Sequence, residues 1–570
     1  MNLIPQVKEC TAKGGICDLT KISWSFAEGT DERVIKAAER ISASTDGTPV
    51  AISHAGKTGE GYTINIAENG VTITGESGAG AFYALSTLKM LINQTNGKVE
   101  CCSISDRPDT PYRGFYQDTT RGRVATLDTL KQLADTMADY KMNSLQLYVE
   151  HSYEFKEYEC YREKLGYLTP AEIREFDAYC KERFIELIPS LATFGHLYHL
   201  LQQDKYKHLC ELKDYEPTQH YWIERMLHHT INPLLDESFE LVTSLIDQHI
   251  EAFTSEYFNI CCDETFDLGN DVNKGQDKDA LYVDYVLKLV KYLESKGKKT
   301  MMWGDRAVVR SGRLDEFPDS VIFLNWGYAK NPDNPMIAEL KDRKQCVCPG
   351  TSSWLGFCER VDIEESNISL LAKAGYENNA LGILNTNWGD LGNPASINMA
   401  MYGLILGAAL GWDKNTTPNS EFRKAVSSYH YGNIDAVDML ATLGEACEQS
   451  DWLIYHYNSR IYLDQTLEAF QKAQDICTKL IARLEKEEFI NDDIKNDFII
   501  AAKGHSLLIK WSAYQYGRDV QSDVDFDSWI EDYKENWLKT CKVGELEEVL
   551  AEFRRMQATK CEDVKSHIGK

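Results

Sequence analysis

Tyr257-Phe258-Asn259-Ile260-Cys261-Cys262-Asp263-Glu264 runs apolar and then stops in two adjacent carboxylates. That is how a buried parallel strand reads when its C-terminal end opens into a site. Paired carboxylates suit proton transfer when a neighbouring charge or an apolar wall raises one of the two pKa values. Neighbours on a strand point to opposite faces, so both acids serve one site only if the strand ends or bulges there. An Asp-Glu pair also opens ordinary solvated loops, so the pair has to be weighed against the rest of the chain.

Outward from this stretch the same pattern repeats. Seven further strand-like runs are expected at Gly114 to Thr119, Ser144 to Val149, Glu186 to Ala192, Lys299 to Trp303, Val321 to Leu324, Gln345 to Cys348 and Leu381 to Asn385. Helices fall between them where room allows. Thr126 to Tyr140 has Leu127, Leu130, Ala134, Met137 and Ala138 on one face. Thr169-Pro170-Ala171-Glu172 reads as a capping box, and Asp236 as the cap of another helix. Eight such units argue for a (β/α)8 TIM barrel over residues 108–415. Carboxylates, His and Trp stand at nearly every C-terminal strand end: Asp118, His196, Asp263, Glu264, Trp303, Trp326, Trp354, Trp388 and Asp390. Any one of these is compatible with rim packing. Their accumulation on the face where barrel enzymes build their sites favours an active site.

Residues 1–107 read as an N-terminal α/β accessory domain, with strands at Gly61 to Ile66 and Gly70 to Gly75 and a helix from Gly78 to Gln94. Residues 416–570 read as a C-terminal helical domain. Thr466 to Phe489 keeps helical periodicity, and Trp452, Tyr455, Tyr457, Trp511 and Tyr514 make the region aromatic. Packing against the barrel is its simplest role; sugar binding or homodimer formation stay open.

The chain has 570 residues, of which 43% are hydrophobic and 26% charged, as in a soluble globular protein. Its net charge of −27 disfavours nucleic acid and anionic membrane as partners. The start, Met1-Asn2-Leu3-Ile4-Pro5, lacks a basic and then apolar leader, and no stretch of about 18 apolar residues suggests a spanning helix. The 16 cysteines are scattered, with adjacent pairs such as Cys101-Cys102 and Cys261-Cys262, and read as reduced thiols of a cytoplasmic protein.

Aromatics interleaved with carboxylates suggest carbohydrate, because Trp rings stack on sugars while Asp and Arg bind hydroxyls. His151, His196 and His199 raise a metal hypothesis. The His-x-His expected of a metal hydrolase barrel is missing after the first strand, so no metal and no cofactor are expected.

Over most of residues 40–415 the sequence resembles glycoside hydrolase family 20, the β-N-acetylhexosaminidases. Gly61-Tyr62-Thr63-Ile64 through Ala81-Phe82-Tyr83-Ala84-Leu85-Ser86-Thr87-Leu88 is similar to the family's N-terminal domain. Pro111-Tyr112-Arg113-Gly114 resembles the start of its barrel, which implies that Arg113 binds sugar hydroxyls. Phe194-Gly195-His196 resembles the Pro-Gly-His after strand three, and Cys261-Cys262-Asp263-Glu264 the Gly-Gly-Asp-Glu of strand four. Trp303, Trp326 and Trp388 fall at the tryptophans that line the pocket, and Asp390 at the acid that binds the far hydroxyls of the terminal sugar.

The resemblance implies an exo-acting, retaining hydrolase of oligosaccharides or glycoconjugates ending in N-acetylhexosamine. The substrate's own acetamido oxygen would be the nucleophile, Glu264 the general acid and base, and Asp263 the group that orients the acetamide. It also implies a raised pKa at Glu264. The sequence departs from the family at Asn259, at Cys261-Cys262, at Glu150-His151 and at Ser352-Ser353-Trp354, where a Tyr usually binds the acetamido oxygen. Trp354 or Tyr328 would have to take that part, and GlcNAc against GalNAc stays open. Two other readings remain: a catalytically silent glycan-binding relative, and a glycosidase barrel with Asp305 or Asp390 as a carboxylate nucleophile.

Overall fold

The structure, a computed structural model, describes every residue except 1, 43, 45, 57, 163, 214–220, 228, 355, 449–465 and 562–570. Trp452, Tyr455 and Tyr457 lie outside the described residues.

The N-terminal region is one six-stranded sheet: β1 (Glu9–Asp18), β2 (Ile22–Phe26), β3 (Thr48–His54), β4 (Tyr62–Ala67), β5 (Gly70–Gly75) and β6 (Lys98–Asp106), in the order β1-β6-β4-β5-β3-β2. β4 and β5 alternate buried and exposed residues, which is why they were legible. β1 is an edge strand exposed along nearly its whole length, so it carries no such alternation. The helix Gly78–Gln94 packs on this sheet and on the barrel helix Leu127–Asp139, which explains its burial on most sides.

The barrel closes from eight parallel strands: β7 (Tyr112–Asp118), β8 (Ser144–Val149), β9 (Glu186–Leu191), β10 (Tyr257–Asn259), β11 (Lys299–Trp303), β12 (Ile322–Trp326), β13 (Gln345–Cys348) and β14 (Gly382–Asn387). β14 pairs with β7 over six positions and completes the ring. Hydrogen bonds cross the lumen between non-adjacent strands: the Tyr116 and Ser190 hydroxyls are 2.8 Å apart, and Asn259 Nδ2 donates to Gln146 Oε1 at 2.8 Å. Thr169 and Glu172 form the expected capping box. Asp236 does begin a helix, Asp236–Ile250, but Leu235 is its N-cap residue and no side chain caps it. β10 stops at Asn259, five residues before Glu264, and that early stop shapes the site.

Arg113 is not where the sequence placed it. It sits near the start of β7, at the end of the barrel away from the mouth, and is 1% exposed. Its guanidinium donates to both Glu60 oxygens at 2.7 and 2.9 Å, to the Thr110 carbonyl at 2.8 Å and, through Nε, to the Lys141 carbonyl at 2.8 Å. Trp412 lies 5.1 Å from it. Arg113 therefore clamps the N-terminal region to the barrel floor, and the rest of β7, Gly114 to Asp118, separates it from the mouth.

The last helices run from Ser420 to Ala558 and return to the barrel mouth. Ala125 bridges to Cys541, Thr126 N–H donates to the Thr540 carbonyl at 2.9 Å, and Arg123 lies 4.2 Å from the Trp537 ring.

Breaking a buried ion pair by removing one partner costs about 3–5 kcal/mol. Arg113→Met is expected to lower the melting temperature strongly while KM and kcat of the folded fraction stay at wild-type values. A large kinetic defect with unchanged melting would return Arg113 to the sugar site.

Candidate active site

The mouth is built from strand ends whose backbones leave the extended conformation. After Asn259, φ is +56° at Cys261, +63° at Cys262 and +52° at Glu264, a left-handed run that costs about 1–2 kcal/mol per non-glycine residue. It resolves the difficulty of two adjacent acids, because past the strand's end the side chains no longer alternate. The turn is tied at each step. Cys261 N–H donates to Asn259 Oδ1 at 2.9 Å, and the Cys261 carbonyl accepts from Trp303 N–H at 3.1 Å. The Cys262 carbonyl accepts from the Tyr282 hydroxyl at 2.7 Å. Gly195 lets the β9 loop approach, since a Cβ there would lie 2.6 Å from the Asp263 carbonyl oxygen.

Asp263 and Glu264 line a cavity of about 120 Å³ together with Arg121, Met226, Trp303, Trp326, Tyr328, Trp388 and Asp390. A second cavity of about 330 Å³ adjoins it, sharing Asp263, Glu264, Trp303 and Trp326 and continuing past Phe266 and Asp305. His196 stands behind the acids, its Nε2 3.3 Å from Glu264 and 3.5 Å from Asp263. Trp354 also stands one layer back, edge-on to Tyr328 with ring centres 5.4 Å apart. Tyr328 stacks on Trp326 at 5.4 Å and accepts a 2.8 Å hydrogen bond from Trp388 Nε1.

Arg121, which the sequence reading missed, holds the closed end. Asp118 ends β7 and accepts from the backbone N–H groups of Thr120, Arg121 and Gly389 at 2.9, 3.1 and 3.0 Å. This turn sends Arg121 across the mouth, where Nη1 donates to Asp390 at 2.9 Å and Nε to Glu150 at 3.2 Å. The rings of Tyr148 and Trp388 lie 5.0 and 5.3 Å from its guanidinium. A legible signal existed: Arg121 follows the C-terminal end of the first barrel strand, the face that carries barrel chemistry, whereas Arg113 precedes it.

Charge is compensated unevenly. Burial pushes Asp390 up to about 6 against the opposing pull of Arg121, with Asp118 and Glu264 adding to the rise. Burial also disfavours the Glu150 carboxylate, but Arg225 and Arg121 bring it down to about 2. His196 is pulled down by burial and pushed up more strongly by Asp263 and Glu264, ending at about 10. Glu264 is correspondingly lowered: burial raises it, and the His196 contact and charge outweigh that. The expected elevation of Glu264 is therefore not found. His151 and His199 group instead with Glu545, away from these acids. Asp305 accepts from Ala307 N–H at 2.7 Å as the cap of the helix Arg306–Arg310.

Aromatic walls and buried ion pairs thus frame a cavity at the mouth of a closed barrel, the face where barrel enzymes build their sites. Residues 110–374 match the model of the glycosyl hydrolase family 20 catalytic domain, and residues 1–107 match that family's domain 2. The chain belongs to glycoside hydrolase family 20. It is 24% identical to a beta-hexosaminidase of Vibrio vulnificus over 251 residues, 35% of this chain and 30% of that protein. It is 27% identical to one of Porphyromonas gingivalis over 231 residues, 36% and 29% of the two chains. The matched region thus spans about 30% of the length of these curated relatives. The fold is similar to that of a Flavobacterium johnsoniae chitobiase, with a TM-score of 0.64 at 18% identity, covering 95% of this chain and 99% of that one.

The His196 contacts carry a pH signature. A group raised from 6.5 to about 10 stabilises the fold fully below 6.5 and loses that contribution as pH rises toward 10. The stability difference between wild type and His196→Gln, from urea melts, is expected to shrink steadily over that window. A difference that is flat with pH would mean that His196 is neutral in the folded protein.

Proposed function

We propose that this chain is an exo-acting, retaining β-N-acetylhexosaminidase that releases terminal β-linked GlcNAc or GalNAc by substrate-assisted catalysis. The observation that carries the reading is the left-handed turn at Cys261, Cys262 and Glu264, which brings two sequence-adjacent carboxylates to one aromatic cavity. A Vibrio harveyi exo beta-N-acetylglucosaminidase solved with N-acetylglucosamine has a similar fold, with a TM-score of 0.61 at 16% identity, covering 75% of this chain and 77% of that one.

In this reading the terminal sugar enters the smaller cavity with its far hydroxyls on Arg121 and Asp390, which close that end and make the action exo. The larger cavity receives the leaving portion. Trp303 and Trp388 pack against the ring and the acetamido methyl. Asp263 accepts the acetamido N–H, and its charge faces the positive charge that develops as the acetamido oxygen attacks the anomeric carbon. The Tyr328 hydroxyl, which accepts from Trp388 Nε1, stands in the wall of the smaller cavity as the partner for the acetamido oxygen. Glu264 protonates the departing oxygen and then takes a proton from water attacking the oxazolinium. His196 Nε2, 3.3 Å away, holds the Glu264 carboxyl in position. The scheme retains configuration through two displacements without a protein nucleophile, and so departs from the two-carboxylate scheme of most glycosidases.

A carboxylate nucleophile is disfavoured by the same contacts. Asp390 is engaged by Arg121, and Asp305 is spent on a helix cap in the outer cavity.

Aryl β-GlcNAc, β-GalNAc and β-glucoside separate the readings: only the acetamido sugars are expected to be cleaved. Cleavage of the glucoside at a similar rate, or of none of the three, would sink the proposal. Glu264→Gln is expected to lower turnover of disaccharides about 100- to 10,000-fold, and less for aryl sugars with good leaving groups. Wild-type turnover of both would remove Glu264 from the role of acid.

A further inference from the structure

Glu545, at the start of the helix Leu546–Ala558, is 1% exposed, and its side chain does not cap that helix. It turns into the barrel mouth. Oε2 accepts from Gly122 N–H at 3.1 Å and from Arg225 Nη1, while Oε1 accepts from the Tyr221 hydroxyl and lies 3.4 Å from His199 Nε2. Arg225 continues inward. Its Nη2 donates to Glu150 at 3.0 Å and to the Thr120 carbonyl at 2.8 Å, and its Nε donates to Glu150 at 3.3 Å. The other Glu150 oxygen accepts from Arg121, which grips Asp390.

The result is a line of alternating charge, Glu545–Arg225–Glu150–Arg121–Asp390, whose first four members are 1%, 1%, 3% and 4% exposed. Water does not screen such a line, so the charge of each member depends on the next, and removing one leaves its partner uncompensated. With Glu545 neutral, Arg225 has only Glu150 to pair with. Glu150 is then drawn from Arg121 toward Arg225, and Arg121 is left with Asp390 at 2.9 Å and Asp118 at 3.7 Å. Arg225 also precedes Met226, which lines the smaller cavity, so a shift of Arg225 moves part of the cavity wall.

We propose that Glu545 is a positioning residue for terminal-sugar binding, acting through Arg225 and Glu150 on Arg121, so that the C-terminal helical region completes the sugar pocket. This rests on the function proposed above. It assigns that region a role in recognition in addition to packing.

The test is a double-mutant cycle of Glu545→Gln and Arg121→Lys in the full chain, with KM and kcat on aryl β-GlcNAc, calorimetric binding of GlcNAc, and melting temperature. Glu545→Gln keeps the shape and removes the charge. It is expected to raise KM and weaken GlcNAc binding about tenfold, the scale of coupling within one ion-pair network, with kcat nearly unchanged. In the Arg121→Lys background the same change is expected to add little. Should Glu545→Gln not fold, Glu545→Asp, which retracts the carboxylate by one methylene, enters the same cycle. Wild-type KM in the Glu545 variant with only a lowered melting temperature would overturn the proposal, as would losses that multiply in the double variant. A wild-type protein that neither cleaves nor binds acetamido sugars would overturn the function itself, and this role with it.

Discussion

The site depends on a backbone held in the left-handed region where β10 ends. Three non-glycine residues there have φ between +52° and +63°, a strain of about 1–2 kcal/mol each that persists only because its surroundings over-determine it. Asn259, Trp303 and Tyr282 hold the turn from three sides, and Gly195 makes room for its carbonyl. Regular strand geometry would send Asp263 and Glu264 to opposite faces. The strain is the condition for having both carboxylates in one cavity.

The second constraint is charge. Around Arg121 lie Asp118, Glu150 and Asp390, and beyond them Arg225 and Glu545. Each buried charge is tolerable because an opposite one touches it. His196 plays the same part for the acid pair. Its Nε2 lies 3.3 Å from Glu264 and 3.5 Å from Asp263, within reach of both acids. Its own loop is left-handed too, at φ +57°, so the base and the acids meet where two strained strand ends cross.

Much of this was legible in the chain. The bounds of β8, β11 and β13 followed directly from apolar runs closed by turn residues, and the rim of Asp, His and Trp pointed to the mouth. What was not legible has physical reasons. A glycine would announce a left-handed turn, but Cys261 and Cys262 adopt one without announcing it, so β10 read as five residues too long. Arg113 and Arg121 lie eight positions apart, and only the direction of β7 tells floor from mouth. Glu264 beside another acid and several indoles suggests a raised pKa, and the sign reverses once His196 is seen in contact. Glu545 opens an ordinary amphipathic helix 320 residues beyond Arg225, and no local pattern marks it.

The central claim is that the turn presents Asp263 to the substrate's acetamide while Glu264 serves as acid, so that the nucleophile belongs to the substrate. The most direct measurement is the inhibition constant of a GlcNAc-derived thiazoline, which mimics the cyclic intermediate, against the wild type and Asp263→Asn. The account predicts that the wild type binds the thiazoline at least about 100-fold more tightly than GlcNAc, as for a transition-state-like ligand, and that Asp263→Asn loses most of that preference. A wild type that binds the two sugars equally, or an Asp263→Asn enzyme that keeps the full preference, would contradict it.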